Sequence, residues 1–454
     1  SSLSNTPRDF MALQSATDGL EDIRARNATV LLPRMGPGAE VLAGALRGLG
    51  LQVEAMPMPD MESLRLGRRY TSGKECLPMV MTLGSLLHRL EKEPDKTKNF
   101  SFFMPTANGP CRFGAYNVLD RIVFERLGIL DRISIWAPVD ENYFASVPKG
   151  VAAVAHAGLT SSDLLLEGLY TCRPMEKTPG AALEIWNFYR NELTQMLEKY
   201  TATANLSAGA AIASIMSGSV FGIAALLRRA AKSFREAMEV RPMPEVLVVG
   251  EIYVRCDPFS NDFIIDRLEQ RGIRCRFAPF NEWLEYTDYQ DGKIKDVASL
   301  ASSYLQASIQ HQLYESMREI LGWDLRTTVQ DSIAAAKPYI REQLSGEAVL
   351  TIGGPLHEWR KGHIDGAISV GPLECMPNKI AENQFHHIAE REGLPSLTLY
   401  LNGDPVDPEI IDNFAYEVHA QFGRRVRGES IPPPPVHPRP RIWKAASRVN
   451  PMDK

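Results

Sequence analysis

The chain is sparing with several things that would have classified it at once. Six cysteines are spread over 454 residues, and no two stand in a Cys-x-x-Cys knuckle. That spacing argues against both a secreted disulfide scaffold and a structural zinc module. No His-x-x-x-His pair accompanies the cysteines. No Gly-x-x-x-x-Gly-Lys-Ser/Thr loop or Asp-rich phosphate loop is present, so nothing here is built to hydrolyse ATP. A formal charge of −5 gives nucleic acid no footing as the main partner. With 44% hydrophobic and 23% charged residues, disorder and collagen-like classes are excluded. The N-terminus shows no signal-peptide pattern, so a cytoplasmic, reducing setting with free thiols is expected.

One uncharged stretch, Leu206 to Leu227, is long enough for a membrane span and contains Gly218-x-x-x-Gly222. Its Ala, Ser and Gly content, and its run into Arg228-Arg229, predict a buried, closely packed helix instead.

What is present is an alternation. Thr29–Leu32, Leu51–Ala55, Phe100–Met104 and Arg132–Trp136 read as strands with helices between them, among them Leu77–Leu90 and Phe113–Leu127. After a helical stretch the pattern restarts. Strands are expected at Glu245–Val249, Cys275–Ala278, Ala348–Thr351, Ala367–Val370 and Ser396–Tyr400, and a helix at Phe259–Arg271. Such alternation predicts parallel sheets covered on both faces. The organisation is therefore an N-terminal extension (1–26), a first α/β lobe (27–160) and a helical connector (161–240). A second α/β lobe (241–424) and a proline-rich basic tail (425–454) follow.

Three cysteines occupy turn-like settings: Tyr70-Thr-Ser-Gly-Lys-Glu-Cys76-Leu-Pro, Gly109-Pro-Cys111-Arg-Phe-Gly114 and Gly371-Pro-Leu-Glu-Cys375-Met-Pro-Asn-Lys379. Each reads as a corner after a strand and before a helix. Amides at a helix start favour negative charge, so thiolates suited to metal binding are expected. In open α/β sheets ligands bind beyond the carboxyl ends of the strands, where all three cysteines fall. A shared iron–sulfur ligand set with one open position, and three unrelated cysteines, both stand on spacing alone. Cys172 and Cys275 read as structural, and Cys256 as a loop residue at a strand end.

At these motifs the chain resembles the 2-hydroxyacyl-CoA dehydratase and benzoyl-CoA reductase superfamily. The likeness is to the uncharacterised dehydratase-like region of large activase proteins, over about residues 28–422. Leu32-Pro-Arg-Met-Gly36, Gly250-Glu-Ile-Tyr253 and Ala278-Pro-Phe-Asn-Glu-Trp283 carry it together with the three cysteine motifs. The resemblance implies two Rossmann-like, flavodoxin-like lobes with a [4Fe–4S] cluster in the cleft between them, held by Cys76, Cys111 and Cys375 with one iron open. It also implies an ATP-hydrolysing activase as electron donor, an acyl-CoA substrate, oxygen sensitivity, and a homo- or hetero-oligomer. A relative with a double-cubane [8Fe–9S] cluster offers an alternative that would engage all six cysteines. A noncatalytic electron relay or scaffold is another.

Glu251, Tyr253 and Asn281 are the candidate catalytic residues, since a Glu or Tyr near an open iron can protonate a leaving hydroxyl. Lys74, Glu75, Arg112 and Lys379 flank the cysteines, and cations there would ease electron entry. His357 and Glu358 read as a turn at a strand end, and His386-His387 as a helix surface.

Overall fold

The computed structural model describes residues 17–107, 111–139, 147–202, 207–290, 297–344 and 346–429. Most of the N-terminal extension, all but the first residues of the proline-rich tail, and Gly109-Pro110 of the second cysteine motif lie outside these.

Two four-stranded sheets, each entirely parallel, organise the chain. The first is formed by β1 (Thr29–Leu32), β2 (Gln52–Ala55), β3 (Phe100–Phe103) and β4 (Ile133–Trp136), in the order β2-β1-β3-β4. The second repeats the winding with β5 (Glu245–Gly250), β6 (Arg274–Phe277), β7 (Gly366–Pro372) and β8 (Ser396–Leu401), in the order β6-β5-β7-β8. Period-two alternation explains why both faces are covered. Leu31, Phe100 and Phe102 pack with Leu83 and Phe124 on one face of the first sheet, while Val30 and Leu32 meet Ala43 and Leu46 on the other. In the second sheet Leu247 and Val249 face one core and Val246 and Val248 the other.

In each sheet the order reverses between its first and third strands. That switch point opens a crevice at the carboxyl ends. Gly250 ends β5 at φ +110, where a Cβ would stand 2.0 Å from the Val370 carbonyl oxygen of β7. Only glycine tolerates that approach, and it lets the Glu251 amide bond the same oxygen at 2.8 Å.

Several expectations are corrected. Ala348–Thr351 is not a strand but the start of the helix Ala348–Lys361, which also contains His357 and Glu358. A short, wholly apolar run does not distinguish a buried strand from a buried helix. The Leu206–Leu227 stretch is not one helix: Ala208–Met216 and Ile223–Ala237 are separated by a break where Gly218, Val220, Phe221 and Gly222 all have positive φ. Gly218 and Gly222 make a turn rather than a helix contact. No helix among the described residues is long and apolar enough to cross a membrane. The helix expected at Phe259–Arg271 shrinks to Ile264–Glu269 behind Asp262 and Phe263, both at positive φ.

Cys76 does not follow a strand. The helix Met61–Tyr70 precedes it, capped by Asp60, whose carboxylate accepts from the Ser63 amide at 2.8 Å. That helix packs on Leu77–Glu91 so tightly that a Cβ on Gly84 would lie 1.8 Å from the Ser63 carbonyl oxygen. The helix Lys149–Cys172 runs unbroken through position 160 and carries both Asp163 and Glu167.

Candidate functional site

A cavity of about 590 Å³ is lined by residues of both lobes, including Cys76, Cys111, Cys256 and Cys375. The segments that enclose it leave the carboxyl ends of the switch-point strands: Pro33 to Gly36 after β1, Met104 and Pro105 after β3, Glu251 after β5 and Glu374 after β7. Strand ends thus bring the Cys111 and Cys375 motifs to one space, and the start of the Leu77–Glu91 helix brings Cys76 to it.

Each of the three cysteines is the N-cap residue of a helical segment: Cys76 of Leu77–Glu91, Cys111 of the 3-10 turn Arg112–Ala115, and Cys375 of Met376–Glu392. Pro78 and Pro377 sit in the first turns after Cys76 and Cys375, where a missing N–H costs nothing. None of the thiols closes a cap hydrogen bond in this form. Instead the Cys76 sulfur lies 2.6 Å from the Tyr116 hydroxyl.

The expected thiolates are corrected by their surroundings. Burial, reinforced by the charge of Glu251, pushes all three thiols up, Cys111 to about 11, against the amides of Met79, Phe113 and Asn378. Helix amides therefore lose to burial, and the metal-free thiols are protonated. A bound cation would invert that balance by supplying the missing positive charge.

Arg112 does more than contribute charge. Its guanidinium donates to the Lys74 carbonyl at 2.9 Å, to Leu373 at 3.2 Å and to Glu374 at 3.1 Å. One side chain beside Cys111 thereby ties the Cys76 loop of the first lobe to the Cys375 loop of the second. Glu374 itself is held at φ +58. Glu75 accepts from the Ser72 and Lys74 amides, which shapes the Cys76 turn. Lys379 lies over the Tyr400 ring, 3.5 Å from its centroid.

Glu251 and Tyr253 line the cavity. The Glu251 carboxylate caps Ile252–Cys256, accepting from Tyr253 and Val254 amides at 3.2 and 2.9 Å, and burial raises its pKa. The Tyr253 phenol is likewise pushed up by burial. Asn281 is not brought to the cysteines; it lines a separate small cavity, its amide bonded to Thr160 at 2.5 Å.

Sequence reasoning missed Glu347. It lines the cysteine cavity, one buried carboxylate oxygen has no partner among the described residues, and burial raises its pKa to about 8, with Glu251 adding to the rise. Its only local signal is Gly346-Glu347 ahead of an apolar run. Cys172 and Cys275 are in the core, Cys172 bonding the Phe234 carbonyl at 3.4 Å, whereas Cys256 ends a short helix on the cavity wall.

The residues fit an iron–sulfur group in chemistry and in room. Free space equal to about 20 waters adjoins the thiols. Phe103, Met104, Trp136, Phe280 and Trp283 give the cavity apolar walls. Among the described residues no three His, Cys, Asp or Glu side chains converge as they would around a single ion. A cluster distributes its ligands around a wider body. Compared with known proteins, the chain matches no family model and no curated sequence.

Proposed function

We propose that this chain is the iron–sulfur component of a 2-hydroxyacyl-CoA dehydratase-like system. In this reading it accepts a low-potential electron from an ATP-hydrolysing activase and acts on an acyl-CoA. The observation that carries the reading is the convergence of Cys76, Cys111 and Cys375, N-caps from two lobes, on one cavity. These three would hold a [4Fe–4S] cluster, which when bound supplies one-electron chemistry and an open iron site.

The protein's own residues have separable tasks. The cysteines lose their protons on loading, which makes loading favour higher pH. Arg112 sets the spacing of the three loops across the lobes. The Tyr116 hydroxyl donates to the Cys76 sulfur once that sulfur is charged, and hydrogen bonds to ligand sulfur tune potential. Phe103, Trp136 and Trp283 line the space beside the thiols with apolar surface. Glu347, whose pKa burial raises to about 8, holds a proton at the cavity wall for a leaving hydroxyl, and burial shifts the neighbouring Glu251 in the same direction.

Cys256 favours a second reading. A fourth thiol on the same cavity would close the ligand set and make the chain an electron relay. Iron and acid-labile sulfide per chain, measured after anaerobic purification of wild type and of Cys76→Ser, Cys111→Ser, Cys375→Ser and Cys256→Ser, test both. Loss of iron in the first three variants alone supports the open site. Loss in all four supports the relay, and about eight irons would indicate the double cubane.

A further inference from the structure

Beneath the second sheet, a cavity of about 110 Å³ is lined by Asp163, Glu167, Glu282 and Glu358 together with Asn281 and Gln310. Its carboxylates outnumber the charges that could neutralise them. Arg276, also on the wall, serves Glu358 at 2.6 Å, and Glu167 and Glu245 at 3.5 Å each. Arg326 lines the cavity but pairs with Glu285 at 2.7 Å. For Asp163 and Glu282 the first cation acting is Arg255, buried behind the wall, and the same guanidinium faces Glu251 and Glu347 of the cysteine cavity. Arg255 is thus shared among four carboxylates, and Arg326 reaches Glu282 besides its own partner Glu285.

Two neutral oxygens reinforce the deficit. Asn281 and Gln310 are each 3% exposed, and Asn281 Oδ1 and Gln310 Oε1 have no partner among the described residues. Thr160 donates its hydroxyl proton to the His156 carbonyl at 3.0 Å and accepts from Asn281 Nδ2. The amide oxygen is thereby left as the bare acceptor. An unpaired buried acceptor costs about 1–3 kcal/mol, and two of them in a negatively charged cavity call for a positive guest.

We propose that this cavity is a binding site for a monovalent cation of potassium or ammonium size. Its ligands are Asn281 Oδ1 and Gln310 Oε1, with Asp163 and Glu282 supplying the balancing charge. A small divalent ion is disfavoured, because no three acidic, His or Cys side chains converge among the described residues, and amide oxygens and water would have to complete the shell. Asp163 lines the cysteine cavity as well, so the bound charge would stand one carboxylate away from it. The inference does not depend on a cluster.

The full-length chain is to be crystallised with thallium(I) as a potassium mimic, and its thermal midpoint followed in potassium, ammonium, magnesium or choline chloride at constant ionic strength. An anomalous peak between Asn281 and Gln310 is expected. So is a saturable rise in midpoint of about 2 °C or more with potassium or ammonium over choline. In Gln310→Met and Glu282→Gln both signals should vanish. Water alone in the cavity, equal midpoints in all salts, a response to magnesium only, or a response that survives both substitutions would overturn the proposal. Should either variant not fold, the wild-type anomalous map decides alone.

Discussion

Replacing Arg112 by glutamine should loosen the cysteine loops more than it destabilises the fold. The side chain makes three hydrogen bonds to carbonyl oxygens, of which those to Leu373 and Glu374 cross between lobes. Charge-assisted bonds are worth about 1.5–3 kcal/mol when buried, but solvent reaches these, so about 0.5–1 kcal/mol each is the appropriate scale. The cross-lobe pair then holds the Cys375 loop by about 1–2 kcal/mol. That is a factor of about 5–30 in the population of the open arrangement. The assay is the rate at which a ferrous chelator strips iron from anaerobically reconstituted protein, expected to rise by that factor. Arg112→Lys should fall between, because a single ammonium cannot serve Lys74 on one side and Glu374 on the other. Arg68→Gln is the control. It removes another cross-lobe guanidinium, bonded to the Asn402 carbonyl at 2.8 Å and Asp404 at 3.3 Å, that touches no cysteine loop. Iron retention in Arg68→Gln should stay within about twofold of wild type while its denaturant midpoint drops as in Arg112→Gln. Equal iron loss in the two variants, or none in Arg112→Gln, would refute the reasoning.

Three further outcomes are expected. Gly84→Ala should destabilise by about 2–3 kcal/mol in urea unfolding, since the new Cβ meets the Ser63 carbonyl oxygen at 1.8 Å, whereas Gly209→Ala, whose Cβ is 3.8 Å from Ser207 Oγ, should be neutral or stabilising. Glu374→Gly should raise the free energy of unfolding by about 0.5–1 kcal/mol, because φ +58 strains a residue with a Cβ; a fall would show that the side chain matters more than the strain. Burial, helped by Arg326, lowers the His156 pKa from 6.5 to about 4, so the folded state resists a proton that the unfolded chain accepts. Stability from this group is complete above pH 6.5 and is lost as pH falls toward 4, by up to roughly 3 kcal/mol. His156→Leu should flatten that window relative to wild type, and parallel curves would contradict the assignment.

The sheets were legible where strands are short apolar runs bounded by turn residues, as in Thr29–Leu32 and Glu245–Gly250. Ala348–Lys361 was misread because a helix buried on every side carries no amphipathic period. The Met61–Tyr70 helix did carry a signal, the Pro-Asp60-Met-Glu cap, which the pull of the neighbouring cysteine motif obscured. At the site, the shared position of Cys76, Cys111 and Cys375 was readable from their helix-start settings. Their protonation was not, because burial and the approach of Glu251 are products of tertiary packing. The bridging role of Arg112 and the place of Glu347 were equally hidden, since both depend on segments far apart in the chain. Asn281 drew attention through its motif and belongs to a different cavity.

The most direct test of the central claim is the iron and acid-labile sulfide content of anaerobically purified protein, wild type beside the Cys76→Ser, Cys111→Ser and Cys375→Ser variants. About four irons and four sulfides per chain, lost in each variant while the fold persists, is the predicted result. Zinc or no metal in intact wild type, or iron that survives all three substitutions, would contradict it.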